Sequence, residues 1–155
     1  MLIEALVASA FAGALDADRL SVGLPAEVNL VGLAFGVRPE VIWRPVGPES
    51  ALNVRVATGV MVGPELTFIP VSATVRGRFF PRATVHPILG FGAELQTLYA
   101  SDHPVVARTA YVVEVGLDVN VQGPWSVGLI LEPNFAPPPL FGFGTAVRLG
   151  VTRRL

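Results

Sequence analysis

The feature that most constrains this chain is a period-two alternation over Tyr111 to Gln122 (YVVEVGLDVNVQ). Tyr111, Val113, Val115, Leu117, Val119 and Val121 form one set; Val112, Glu114, Gly116, Asp118, Asn120 and Gln122 form the other. A β-strand points successive side chains to opposite faces, so one face here is continuous hydrocarbon and the other is polar or small. A helix would scatter Glu114 and Asp118 among the valines, and the β-branched content disfavours one. The run is longer than the about 5–6 residues of an ordinary strand and reaches the about 9–11 of a tilted membrane-spanning strand.

The pattern recurs along the chain. Residues 19–24 read as a first strand, with Leu20, Val22 and Leu24 on one face, and 25–29 as a loop. Further strands read over 33–44, 52–62, 71–79, 85–99, 127–133 and 141–151, which with 111–122 makes eight. Short turns are expected at 46–50, 81–84 and 123–125, and longer loops at 63–70, 100–109 and 135–139, where Gly and Pro cluster. Pro39, Pro87 and Pro133 fall inside strand patterns and each removes a ladder donor, so bulges or rim positions are expected there. Before the first strand, residues 1–15 (MLIEALVASAFAGAL) are apolar and Ala-rich, readable as a secretory leader or as a short helix. The expected organisation is therefore this N-terminal segment followed by one β domain over 16–155.

Composition decides which medium such a domain faces. The chain is 52% hydrophobic and only 15% charged, against about 25% charged in ordinary soluble domains. Its mean hydropathy is +0.58. Yet no stretch reaches the roughly 18 apolar residues of a membrane helix. A net charge of −1 leaves no footprint for nucleic acid. There is no Cys, so disulfides and thiolate chemistry are excluded.

Three features place the apolar face outward. Over strands 33–43 through 141–151 no position of the apolar parity is Asp, Glu, Arg or Lys; so many Val, Leu and Phe side chains would overfill an eight-stranded interior, which side chains only just fill. The polar parity is rich in Gly, at positions including 36, 59, 90, 92 and 116, which suits a crowded interior and weakens a solvent-facing strand. Large aromatics gather at strand ends: Trp43, Phe79 and Trp125 beside the short turns, and Tyr99, Tyr111, Phe135, Phe141 and Phe143 beside the longer loops. From Tyr111 to Gly123 is roughly 40 Å along a strand, or about 28 Å after a ~45° tilt, the depth of a hydrocarbon slab.

With these observations the chain, over about residues 19–155, resembles the small eight-stranded bacterial outer-membrane β-barrels, the class of the OmpA membrane domain, OmpX and OmpW. The stretch His86-Pro87-Ile88-Leu89-Gly90-Phe91-Gly92 is similar to the Pro-aromatic-x-Gly-x-Gly strand starts of that class, and the closing strand resembles its assembly signal. The chain departs from the class at Arg153-Arg154-Leu155, where Phe is usual. The resemblance implies an all-β, antiparallel, up-and-down transmembrane barrel in the bacterial outer membrane, its partners the lipid bilayer or detergent and a possible protein of the cell envelope.

The polar parity carries Arg38, Arg44, Arg55, Arg76, Arg78 and Arg148 with Glu40, Glu94, Glu114, Asp118 and Glu132. Near-balanced charge on an inward face predicts an ion-pair network that plugs the barrel, and Arg suits such pairs better than Lys, of which the chain has none. The histidines are His86 and His103, and Ser101-Asp102-His103 is contiguous, whereas catalytic relays join residues distant in sequence. No metal-ligand spacing, phosphate loop or dinucleotide fingerprint is present, so no cofactor is expected. The expected role is non-enzymatic: membrane-anchored structure, adhesion or partner docking. The alternatives are a narrow conduit for small or hydrophobic solutes and a soluble lipocalin-like binder with its apolar face inward.

Overall fold

The computed structural model describes residues 17–47, 49–64, 66–100, 103–138 and 142–155. The segment 1–15, Phe141, and Ser101 and Asp102 lie outside the described residues. Among the described residues eleven strands, all paired antiparallel, follow a 3-10 turn at Ala17–Arg19. They are β1 (Leu20–Gly23), β2 (Ala26–Asn29), β3 (Ala34–Val37), β4 (Glu40–Trp43), β5 (Leu52–Thr58), β6 (Val60–Val62), β7 (Thr67–Arg78), β8 (Val85–Ala100), β9 (His103–Asn120), β10 (Trp125–Ala136) and β11 (Gly142–Arg154).

The eleven strands make eight staves. β1 runs on into β2, β3 into β4 and β5 into β6, each pair parted by one or two residues. Proline explains the first two breaks: Pro25 and Pro39 have no N–H for the ladder. Their carbonyls still take part. Pro25 O accepts from Arg38 N at 3.0 Å, and Pro39 O accepts from Thr58 N at 3.2 Å. Each stave pairs with its neighbours in chain order, and the ring closes where β1 meets β11, with Ser21 opposite Arg154 and Gly23 opposite Thr152. Closure pairs every stave on both sides around the ring, which removes the edges that an open sheet would expose there. The fold is an eight-staved antiparallel up-and-down barrel.

Period-two alternation decides what lies inside. Arg38, Arg55, Glu94, Glu114 and Glu132 are buried, while Phe35, Leu89, Phe91, Leu117, Leu129 and Leu149 stand exposed on the outer wall. The soluble lipocalin-like alternative is thereby corrected: the hydrocarbon face points outward. Glycine makes room for the interior. A Cβ at Gly90 would stand 2.9 Å from Arg76 Cγ and 3.0 Å from Glu114 Oε2.

Several boundaries differ from the sequence reading. The loop expected at 25–29 contains β2, whose Ala26 and Val28 face out and whose Glu27 faces in. The loop expected at 63–70 gives way to β7 from Thr67, even though Pro70 sits in that strand. The longest loop, expected at 100–109, is the tip of a β8–β9 hairpin in which strand pairing continues to Ala100 opposite His103. The expected contrast between short turns and longer loops therefore disappears, because strands extend into the loops. Pro87 lies in β8 opposite Leu117 with the ladder unbroken around it, whereas the β9–β10 ladder skips Glu132 and Pro133. Below, the turn end is that of 44–51, 79–84 and 121–124; the hairpin end is that of 30–33, 63–66, 101–102 and 137–141.

Candidate functional site

The densest chemistry of the barrel is at its centre. Each of the eight staves sends at least one ionisable side chain there: Glu27 from the first, Arg38 and Glu40 from the second, Arg55, Arg76, Glu94, Glu114, Glu132 and Arg148 from the rest in order. All nine are buried, and Arg55, Glu114 and Glu132 are 0% exposed.

The pairing is many-to-many. Arg38 meets Glu94 at 2.7 Å, Glu27 at 3.0 Å and Glu132 at 3.1 Å. Arg55 meets Glu40 at 2.7 Å, Glu114 at 2.9 Å and Glu132 at 3.5 Å. Arg148 meets Glu132 at 3.0 Å and Glu114 at 3.2 Å. Arg76 donates to Glu114 through both Nε and Nη2 and lies 3.9 Å from Glu40. Glu132 thus joins the group around Arg38 to the group around Glu114. Ser72 Oγ accepts from both Arg38 and Arg55, at 2.7 and 3.3 Å. Taking these ions out of water is costly, and only dense, well-directed pairing offsets that cost.

Of the residues read from the sequence as one network, Arg38, Glu40, Arg55, Arg76, Glu94, Glu114, Glu132 and Arg148 come together here. Arg78 and Asp118 do not: they pair with each other at 3.3 Å toward the turn end, where Arg78 also donates to Asn120 Oδ1 at 2.9 Å. Glu27 was missed because its segment reads as a loop. Its signal was a carboxylate between two outward apolar residues, Ala26 and Val28. Toward the hairpin end the network continues through Gln96, which donates to Glu94 at 2.5 Å and accepts from Arg108 Nε at 2.7 Å.

The aromatic residues stand on the outer wall at several heights, with Phe91 exposed midway along β8. Tyr111, Phe135 and Phe143 stand opposite one another across β9, β10 and β11, all exposed, with Tyr99 exposed on β8. At the turn end, Phe79 and Trp125 are exposed and Trp43 is half-buried. The Arg153 guanidinium lies 5.6 Å over the Trp125 ring. His86 is buried, with Nδ1 2.9 Å from Phe80 O.

No family model matches the sequence, and none of the curated proteins does. Solved structures do match. The N-terminal β-barrel domain of Pseudomonas aeruginosa OprF superposes with a TM-score of 0.73 at 12% identity, covering 86% of this chain and 95% of that one. Neisserial surface protein A gives 0.61 at 14% identity, covering 88% and 94%. The outer membrane enzyme PagL gives 0.58 at 12% identity, covering 87% and 99%. PagL corrects the expectation that this chain is no enzyme: the same scaffold carries an enzyme, so the fold gives no ground for excluding catalysis. Closed barrels and helices are the structures that can span lipid with every backbone group satisfied, and this one is closed, apolar outside and polar inside. The chain has the fold of the small outer-membrane β-barrels, a closed ring of eight staves that is apolar outside and polar inside.

Proposed function

We propose that the protein is a sealed, membrane-anchored barrel whose role is structural or adhesive, with the β8–β9 hairpin as its docking element. The observation that carries the reading is the plug, to which all eight staves contribute and whose side chains fill the mid-section of the lumen. An eight-stranded interior has little room beyond its own side chains. Docking is supported at the hairpin end. There β10 pairs with β9 only as far as Tyr111, and among the described residues no strand pairs with that side of 103–110. A free strand edge is a template for an added strand from a partner.

The test has two parts. In planar bilayers the purified barrel should give no conductance steps; regular steps would refute the seal and favour a small-solute conduit. Replacing 97–108 by a tight turn should leave a barrel whose gel mobility still shifts on boiling but which no longer mediates attachment of cells that display it. Unchanged attachment would remove the hairpin from the proposal.

A further inference from the structure

We propose that the turn end of the barrel holds a site for a small oxyanion of the phosphate class, clasped by Arg44 and Arg78. Arg44 follows β4 and Arg78 ends β7; both point inward, and they are only 5% and 3% exposed. Their situation differs from that of the plug arginines, each of which has at least two carboxylates within 4.0 Å. Among the described residues Arg44 has no carboxylate partner. Its Nη1 donates to Ser21 Oγ at 2.6 Å, and its Nε is buried without an acceptor. Arg78 engages Asn120 and Asp118 through Nη2, which leaves its Nε and Nη1 buried without acceptors. Buried donors on a cation are seldom left unmatched, because each forfeits its hydration.

These groups border a cavity of about 170 Å3, lined also by Ser21, Asn120, Ser126 and Arg154. One water needs about 10–15 Å3 of such space, so a tetrahedral oxyanion fits. Three guanidiniums line the cavity against one carboxylate, Glu49, which lies 3.6 Å from Arg154. Burial first, and then the positive charges of Arg78 and Arg154, hold Arg44 below its ordinary value, at about 10. A bound anion would counter that repulsion and supply acceptors to guanidinium forks whose geometry suits phosphate. A smaller void of about 30 Å3 lies on the plug side of the same arginines, bordered by Arg44 and Arg78 and also by Glu40, Arg76 and Arg148 of the plug. The larger cavity lies at the turn end, where Glu49, Gly123 and Pro124 of the connections border it. The anion is either free or the headgroup of a phospholipid in the adjoining leaflet.

The test is calorimetric titration of the folded barrel in a maltoside micelle, which carries no phosphate, at constant ionic strength. One arm uses inorganic phosphate and the other a short-chain phosphatidylglycerol. Binding of inorganic phosphate that weakens at least tenfold in Arg44→Gln and Arg78→Gln, and is unchanged in Arg153→Gln on the outer wall, supports a free-anion site. Binding of phosphatidylglycerol alone, with the same dependence on Arg44, supports the headgroup. Absence of binding in both arms by a heat-modifiable barrel, or equal affinity in Arg44→Gln, overturns the proposal. Should Arg78→Gln not fold because Asp118 is left alone, Arg44→Gln still decides, since Arg44 has no carboxylate to strand.

Discussion

Removing Glu114 is the sharpest probe of the plug. Its carboxylate accepts from Arg55 at 2.9 Å, from Arg148 at 3.2 Å and from both Nε and Nη2 of Arg76. Summing about 1.5–3 kcal/mol for each of these charged hydrogen bonds would overshoot, because the arginines are not left equally bare. In Glu114→Ala, Arg55 retains Glu40 at 2.7 Å and Arg148 retains Glu132 at 3.0 Å. Arg76 retains only Glu40, at 3.9 Å. One buried cation is effectively stranded, and stranding one costs about 3–5 kcal/mol. At 1.4 kcal/mol per decade that is roughly a hundred- to several-thousandfold in the unfolding constant, and a large share of the about 5–15 kcal/mol that holds a typical domain together. The assay is denaturant unfolding in lipid vesicles, followed by fluorescence of Trp43 and Trp125 with heat-shifted gel mobility as a check. Glu94→Ala is the internal comparison. It should cost less, because its partner Arg38 keeps Glu27 and Glu132 at 3.0 and 3.1 Å. A loss under about 1 kcal/mol for Glu114→Ala, or a larger loss for Glu94→Ala, would refute the reasoning that cation stranding sets the cost.

Other expectations follow from the same geometry. Leu117→Arg places a cation on the outer apolar wall of β9, opposite Leu129 and between the levels of Tyr111 and Val121, and should cost about 2–4 kcal/mol in vesicle refolding. A cost under about 1 kcal/mol would argue against a lipid contact at Leu117. Gly90→Val forces a branched side chain into the space of Arg76 Cγ and Glu114 Oε2; it should destabilise by about 1–3 kcal/mol through overpacking, read as a lowered denaturant midpoint. Replacing Arg76 and Glu114 together by Met and Leu should restore much of the stability lost in Glu114→Ala, because apolar replacement of a whole buried pair is often neutral. A double variant as unstable as Glu114→Ala would show that shape, not charge, governs the site.

Much of the architecture was legible in the chain because strand periodicity is local: Tyr111 to Val121 states its own two faces, and charge exclusion from one parity states which face meets hydrocarbon. The inward position of Arg38, Arg55, Glu94, Glu114, Glu132 and Arg148 follows from the same two-residue rule. That rule failed where proline and turn residues outweighed a short alternation, as at Ala26 to Asn29, and so Glu27 was overlooked. It failed again at 100–109, where Asp102-His103-Pro104 reads as a loop although β9 begins at His103.

The sequence by itself determined the alternation and the medium outside the strands, since each depends only on neighbours along the chain. Which charge meets which was decided by the tertiary structure alone. Register and ring closure set the heights at which eight staves deliver their side chains. They bring Arg38 to Glu132, 94 residues away, at 3.1 Å, and send Arg78 and Asp118 to a separate pair at the turn end. They also leave Arg44 and Arg78 with unmatched donors around a cavity. Coulomb interactions and hydrogen bonds act over a few ångströms in space, and no period along the chain encodes that separation.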